Sequence, residues 1–292
     1  MPITRSTAAQ RSAATRTPRG RGRGIELLAL LAASLVSLAG LALVYQVKAQ
    51  GNANVDADLG KGRLVHLNQV DRPEPLVPLL ERVLGDPGER RFVAQRIASW
   101  LSSDGATGHR RINSVSAISS IRVSKGALPN TRSLPSIRER LAGSGADSVA
   151  LLGSAQLAAI RPFLVVRRPA DFTRAVAWAA ALFLLPFYVA HVWLRFRAPD
   201  ADQLLLPGMH LLTGIGLAMM IGLRDPLRET LLFTRFAQGV AAGLVVLSAA
   251  ATVDFQRSGL RRLSYVPLLA AMGLSVLLVA FGTGPGTSDA KV

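Results

Sequence analysis

Two histidines stand inside long apolar runs, where an ionisable side chain could hold a proton or contact a polar substrate. His191 lies in the run 175–194 and His210 in the run 204–223. A titratable group inside a membrane span is a candidate functional residue, although histidines near the ends of such spans are also common. These runs contain no Asp or Glu, and the lack of a chain of carboxylates argues against an ion-coupled transporter.

The polar middle of the sequence offers no recognisable catalytic or metal-binding motif. His66 and His109 have no second histidine or carboxylate at metal-ligand spacing, and we expect each to be hydrogen-bonded or solvated. The carboxylates that could be written as acid–base pairs, and that we expect at the surface, are Glu81 with Glu89 and Asp56 with Asp58. The sequence has no cysteine, which excludes disulfides, thiolate metal ligands and cysteine nucleophiles. We therefore predict no catalytic residue, no metal and no cofactor in this chain.

The formal net charge of +16 would suit a nucleic-acid-binding protein, because clustered Lys and Arg neutralise phosphates. Much of the positive charge, however, lies in residues 1–24 and in short segments beside the apolar runs, where it determines membrane topology. The chain also has only three Tyr and three Trp, too few for a surface that stacks bases. We expect no nucleic-acid partner.

The C-terminal half is dominated by four apolar runs without Asp, Glu, Lys or Arg, namely 175–194, 204–223, 236–253 and 263–282. They contain 20, 20, 18 and 20 residues and are separated by segments of 9 to 12 residues. At a rise of about 1.5 Å per residue, some ~20 apolar residues cross the ~30 Å hydrocarbon core of a bilayer. The rest of this chain is too short to cover four such helices, so we predict a polytopic membrane protein embedded in the lipid bilayer.

The first 47 residues predict a membrane anchor behind a basic tail. Residues 1–24 hold six arginines and no acid among small and polar residues, which predicts a disordered cytoplasmic tail that could also bind anionic lipid. Residues 25–47 contain the uncharged stretch 27–47, whose 21 residues exceed the ~7–15 of a cleavable signal peptide. No clean small-x-small cleavage site follows, so we predict a retained signal-anchor helix over 25–47.

The distribution of basic residues predicts the orientation in the membrane. With the N-terminus inside, the inner tail and loops hold 11 Lys and Arg, and the outer short segments hold four. The inner segments are 1–24, 195–203 and 254–262, and the outer ones are 224–235 and 283–292. The positive-inside rule therefore places the N-terminus in the cytoplasm and residues 48–174 outside it.

Residues 48–174 form a long polar segment with 19 Lys and Arg and 11 Asp and Glu. Apolar periodicity and turn residues predict helices over 75–84, 89–101, 135–141 and 148–159, and strands over 62–70 and 162–166. In the stretch 112–123 apolar residues recur every three positions and then alternate, so helix and strand both remain open there. We predict a small, mainly helical α+β domain that serves for packing or partner contact.

Glycines in the membrane runs predict where helices approach closely. Gly239 and Gly243 form a G-x-x-x-G pair, and Gly214 belongs to a row of glycines in the run 204–223. Glycine lets two helix backbones come together, so we predict that these three residues pack helices rather than bind a ligand. The predicted fold class is an all-α polytopic membrane protein of about five transmembrane helices, with a small, mainly helical α+β extracytoplasmic domain.

From residue 204 onward the chain resembles the SEDS family (FtsW, RodA and SpoVE), the membrane glycosyltransferases of bacterial peptidoglycan synthesis. The similar stretches are, in order, Leu204-Leu-Leu-Pro207 with 212–221, Gly222-Leu-Arg-Asp-Pro226, Arg235 with Gly243, and 281–291. They correspond to the family's opening helix, the stretch after it, the start of the next helix, and the loop before the Gln-Pro-Ser-Glu helix. Phe236 and Gly239 stand where family members usually have Gln and Trp.

The resemblance implies a role in peptidoglycan synthesis during cell division or elongation, in the bacterial inner membrane. The implied partners are the lipid-linked peptidoglycan precursor and a penicillin-binding protein or other division and elongation proteins. The family's catalytic aspartate lies in a later external loop, so the resemblance implies that the polymerising residues follow Val292 and that Asp225 and Asp289 are not catalytic. The family's first helix runs from inside to outside, as the charge distribution also predicts here.

Two other functions remain open from the sequence. A non-catalytic membrane scaffold would recruit envelope or division proteins through residues 48–174, and a small transporter would carry a solute through the helices. A Gln-Pro-Ser-Glu-like helix encoded after Val292 would favour the glycosyltransferase, whereas a stop codon at that point would favour the scaffold.

Overall fold

The computed structural model describes residues 24–103, 110–128, 134–197, 202–251, 265, 269 and 271–276. The predictions for the tail before residue 24, for His109 and for residues 283–292 lie outside these described residues, as does most of the predicted span 263–282. The helices are α1 (Gly24–Gly51), α2 (Val55–Gly60), α3 (Val77–Leu80), α4 (Pro87–Leu101), α5 (Pro135–Ser144), α6 (Ser154–Ile160), α7 (Pro169–Arg197), α8 (Leu205–Leu223) and α9 (Leu232–Ala250). The strands are β1 (Val65–His66), β2 (Arg122–Ser124), β3 (Ser148–Ala150) and β4 (Leu164–Val165).

Four helical stretches are long and apolar enough to cross a membrane, namely Gly24–Gly60, Pro169–Arg197, Leu205–Leu223 and Leu232–Ala250. Their apolar windows are only 17% to 33% buried within the protein. The exposed remainder includes large side chains such as Leu35, Trp178 and Leu212. Apolar surface of this extent indicates a bundle that faces lipid, so the described residues contain four of the five predicted spans.

The four long helices meet the rest of the chain at one end of the bundle. α1 lies against α8, and α7 lies against α9. α1 ends where the polar middle of the chain begins and α7 starts where it finishes, while the loop between α8 and α9 contacts the same polar segment. α1 and α8 therefore run toward this end of the bundle, and α7 and α9 run away from it.

Between α1 and α7 the chain forms what we call the inserted domain (residues 52–168). Most of its buried apolar residues form a core of their own, whereas Val55 and Val165 pack into the core of the bundle. The central helix of the inserted domain is α4, in which Val93, Ile97 and Leu101 are at most 1% exposed. Their spacing of four residues places them on one face of the helix. Asp86 begins this helix by accepting a hydrogen bond from the backbone N–H of Glu89 at 2.9 Å, a typical N-cap that satisfies an otherwise unpaired donor.

Two small sheets join distant parts of the inserted domain. β1 pairs in parallel with β4, so that Val65 lies opposite Leu164, and β2 pairs antiparallel with β3. Beside β1, the amide of Asn68 donates to the carbonyls of Ile112 and Val166, both at 2.9 Å, and accepts from the N–H of Ile112 at 2.8 Å. The first and last segments of the domain are therefore held together where both approach the membrane.

The helix predicted over 148–159 is wrong in its first half, because β3 occupies Ser148–Ala150 and α6 begins only at Ser154. Val149 pairs with Val123 of β2, so strand pairing overrides the helical preference of this short stretch. The open stretch 112–123 contains a 3₁₀ helix, Val115–Ser120, followed directly by β2.

The surface position predicted for Glu89 is also wrong. Its side chain is 1% exposed, and its Oε1 accepts hydrogen bonds from the hydroxyl of Ser136 at 2.5 Å and from the N–H of Ile137 at 3.1 Å. These donors belong to the first turn of α5, where unpaired backbone N–H groups favour a carboxylate. Glu89 therefore joins α4 to α5.

Candidate functional site

A group of polar side chains lies inside the apolar bundle, where α1, α7 and α8 meet. We call it the intramembrane polar cluster, and its members are Glu26, Ser34, Ser37, Tyr188, His191 and His210. All of them except Tyr188 are at most 6% exposed, and with Glu89 they make up the buried polar side chains of the described residues. Polar groups at membrane depth are costly unless they bond to one another, so this cluster is the part of the bundle best suited to chemistry.

His210 lies at the centre of the cluster and has a hydroxyl partner at each ring nitrogen. Its Nε2 is 3.1 Å from Oγ of Ser34, and its Nδ1 is 3.4 Å from Oγ of Ser37. The hydroxyl of Tyr188 donates to Oγ of Ser34 at 2.8 Å. Because a neutral imidazole has one donor and one acceptor nitrogen, one serine donates to the ring while the other accepts from it.

Glu26 and His191 form the second contact of the cluster, at the end of the bundle opposite the inserted domain. Oε1 of Glu26 lies 3.2 Å from Nδ1 of His191. Glu26 is in the first turn of α1, where the helix dipole favours a carboxylate, and His191 lies six residues before the end of α7. The carboxylate and the imidazole are therefore in contact inside the bundle, and both side chains are buried.

The predicted packing glycines have different surroundings. A Cβ at Gly214 would lie 2.9 Å from Cβ of Ser37, so the lack of a side chain lets Ser37 approach His210, one turn earlier on α8. On α9, no atom lies within 4 Å of the position that a Cβ would take at Gly239 or Gly243. Among the described residues, no other helix therefore packs against these two glycines.

Three of the four carboxylates considered as acid–base pairs, namely Glu81, Glu89 and Asp58, are bound to other partners. Glu81 accepts from Nη1 of Arg90 at 2.9 Å, and Asp58 pairs with Arg63 at 2.5 Å. Glu89 is the buried link between α4 and α5 described above. These contacts stabilise local structure and give no indication of general acid–base catalysis.

A second polar feature connects the inserted domain to the loop 224–231 between α8 and α9, and we call it the clasp. The N–H of Val115 donates to the carbonyl of Arg228 at 2.8 Å, and the N–H of Val166 donates to the carbonyl of Leu227 at 2.9 Å. Leu227 is fully buried. Two separate backbone segments of the inserted domain, at Val115 and at Val166, therefore bind the tip of the loop.

Arginines of the inserted domain and of the loop itself reinforce the clasp. Arg167 donates from Nη1 to the carbonyls of Pro226, at 2.9 Å, and of Glu229. The carboxylate of Glu229 is paired with Arg161 and, at 3.3 Å, with Arg224. Burial lowers the pKa of the Arg167 guanidinium below its usual range, and the nearby carboxylate of Asp171 opposes this shift. These contacts fix the inserted domain on the ends of α8 and α9 that the loop 224–231 joins.

The sequence indicates the two histidines of the cluster but not their partners on α1. Glu26 looks like the charged boundary of the anchor, and serine is common in any membrane helix. The sequence signal that could have identified these partners is their spacing. Glu26, Ser34 and Ser37 share one helical face with Leu30 and Leu41, and the structure buries all five. A polar stripe on one face of an otherwise apolar helix indicates packing against protein rather than lipid.

Comparisons with protein-family models, with curated proteins and with solved structures returned no match for this chain. Function is therefore inferred from its residues and their geometry.

Proposed function

We propose that this chain is the N-terminal part of a SEDS-like membrane protein of bacterial cell-wall synthesis, acting in cell division or elongation. It resides in the inner membrane, with its N-terminus in the cytoplasm and the inserted domain outside. Its partners are the lipid-linked peptidoglycan precursor and a penicillin-binding protein or another protein of division or elongation.

The observation that carries this proposal is the arrangement of residues 204–231. α8 (Leu205–Leu223) covers the stretch that resembles the family's opening helix. The Arg224-Asp225-Pro226 segment that follows forms the start of the clasp, and α9 then returns through the bundle. A helix, a short polar loop and a second helix in this order support the resemblance, and the polar cluster joins α1 and α7 to the first of these helices, α8.

Polymerisation of lipid-linked precursor tests the proposal. The product of the whole coding region that contains these 292 residues is reconstituted in liposomes with fluorescent precursor and a penicillin-binding partner, and glycan strands are separated on a gel. We expect polymer from this product and none from residues 1–292 alone. Polymer from residues 1–292 alone would contradict the inferred position of the catalytic loop. A coding region that ends at Val292 would contradict the glycosyltransferase itself.

The second candidate is a non-catalytic scaffold that recruits envelope or division proteins, and a groove on the inserted domain favours it. The groove has a volume of about 410 Å³ and is lined by Trp100, Arg96 and Arg122 together with three serines. The guanidinium of Arg110 stacks on the Trp100 ring at 4.6 Å. Aromatic and arginine side chains are the residues that most often anchor a protein partner.

Substitution in this groove separates the two candidates. If the protein is a scaffold, the double variant Trp100→Ala/Arg96→Ala loses recruitment of division proteins to the septum while the bundle stays folded. If it is a glycosyltransferase, the same variant retains polymerisation in the reconstituted assay. Fluorescence microscopy of tagged division proteins measures the first outcome, and the glycan gel measures the second.

A further inference from the structure

A cleft of about 760 Å³ lies where the inserted domain meets the bundle. One wall is apolar and includes Leu59 of α2 and Pro78 of α3. The polar groups of the lining are His66, Gln69 and Arg168, together with the carboxylate of Asp56. Volumes of this size are typical of small-molecule sites, which combine an apolar lining with a few placed polar groups.

The pairing of β1 with β4 brings the polar groups of the cleft together. His66 lies opposite Val165 in the parallel pair. Arg168 lies three residues after Val165, just past the end of β4. Nη2 of Arg168 donates to Oε1 of Gln69 at 3.2 Å, a neutral amide. Within the described part of the chain, no carboxylate lies at ion-pair distance from this guanidinium, so its charge is available to a ligand.

His66 supplies an unused polar atom in the same cleft. Its Nδ1 is buried and has no hydrogen-bond partner among the described residues. Burial, and then the positive charge of Arg168, lowers the pKa of His66 below its usual 6.5, so the imidazole is neutral at physiological pH. A buried, unpartnered donor or acceptor costs stability, and here it stands beside an unpaired cation.

Arg168 immediately precedes α7 (Pro169–Arg197), the helix that enters the apolar bundle. Arg168 precedes the uncharged run 175–194 by seven residues, which is about 10 Å of helix. The headgroup layer on each side of a bilayer is about 5–8 Å deep, and an arginine side chain reaches back toward it. Arg168 therefore lies just beyond this layer, within side-chain reach of lipid phosphates, and the apolar wall of the cleft is available to the glycerol and upper acyl chain.

We propose that this cleft binds the phosphate headgroup of a membrane lipid, with Arg168 pairing the phosphate, His66 hydrogen-bonding to it, and the leucine and proline wall covering the glycerol backbone. The lipid then contacts both the inserted domain and the first turn of α7, where Ala170 lines the cleft. This inference does not depend on the glycosyltransferase assignment, because a scaffold would place the same cleft at the same depth.

Equilibrium binding of a short-chain lipid to the purified chain tests the proposal. Dihexanoyl-phosphatidylglycerol is titrated by calorimetry into the protein in a neutral maltoside detergent, and dihexanoylglycerol and inorganic phosphate are titrated separately. We expect saturable binding of the phospholipid and weaker binding of both other probes. Arg168→Gln and His66→Gln should each weaken phospholipid binding about ten-fold, the usual effect of losing one bond to a charged group.

Matched variants separate a specific site from general charge. Arg63→Gln removes an exposed arginine close to the cleft that is paired with Asp58, and it should leave the affinity unchanged. Arg168→Lys keeps the charge and should retain most of the binding, which controls for misfolding of Arg168→Gln. Equal affinity for inorganic phosphate and phospholipid would overturn the lipid assignment. Binding that is absent, or that is unchanged in both Arg168→Gln and His66→Gln, would overturn the site.

Discussion

Replacing His210 by alanine should destabilise the bundle strongly. His210 is fully buried, has serine hydroxyls at 3.1 and 3.4 Å, and packs against two phenylalanine rings with centroids at 5.0 and 4.5 Å. An interhelical hydrogen bond in a membrane contributes about 0.6 kcal/mol on average, and each aromatic contact about 0.5–1.5 kcal/mol. His210→Ala should therefore lower the free energy of unfolding by about 3 kcal/mol, which is about a hundred-fold in the equilibrium constant.

Unfolding in mixed micelles measures this effect. The purified protein is titrated with sodium dodecyl sulfate, and the loss of helix is followed by circular dichroism. The matched control is Leu212→Ala on the same helix. Because Leu212 is 72% exposed on the bundle surface, its replacement should lower the unfolding free energy only slightly. Ser34→Ala should cost about 1 kcal/mol, and the double variant should cost less than both single changes together, because they remove a shared bond. An unfolding energy for His210→Ala within 0.5 kcal/mol of the Leu212→Ala value, taking about 0.5 as the usual size of a neutral surface change, would refute this reasoning.

Three further predictions concern the clasp, the α1–α8 contact and the cleft. Glu229→Ala removes the carboxylate shared by two arginines and should speed amide exchange across the clasp, measured by mass spectrometry. Gly214→Val should lower the unfolding free energy by about 1–3 kcal/mol through overpacking, measured in the same micelle titration. The pKa of His66 is lowered in the folded state, so the unfolded chain binds more protons just below pH 6.5. Stability should fall as the pH drops below 6.5, and His66→Gln should lessen that fall.

Each of these predictions has a control and a contrary outcome. For the clasp, Asp58→Ala removes a surface ion pair and should leave its exchange unchanged, so equal exchange in both variants would argue against the clasp. For the α1–α8 contact, Gly40→Val adds a side chain where no atom lies within 4 Å. If Gly40→Val lowered the unfolding free energy as much as Gly214→Val, helix propensity alone would explain the effect. For His66, identical pH profiles of the wild type and the glutamine variant would contradict its burial beside a cation.

The membrane spans follow from the sequence because charge-free runs of this length have few alternative environments. The run 204–223 and the helix Leu205–Leu223 differ by one residue, since both ends are marked by polar residues. The inserted domain was harder to predict, because its short segments acquire their structure from distant partners. Residues 148–150 form a strand only because β2 lies beside them.

The functional geometry depended on contacts that no local pattern encodes. Nδ1 of His191, on α7, lies 3.2 Å from Oε1 of the buried Glu26 on α1. In the clasp, Arg167 bonds to a loop that lies about 60 residues later in the chain. The cleft depends on the parallel pairing of two strands separated by about 100 residues. In each case, the residue types were visible in the sequence, but the partner was determined by tertiary packing.

The proposed topology places the inserted domain and the loop 224–231 on the same, external face of the membrane. Because the chain has no cysteine, single cysteines introduced by Ser116→Cys, Thr230→Cys and Ser6→Cys report position without background. Labelling of spheroplasts with a membrane-impermeant maleimide should modify the first two variants, and the third only after permeabilisation. Labelling of Ser6→Cys in intact spheroplasts, or protection of either of the other two variants, would contradict the claim.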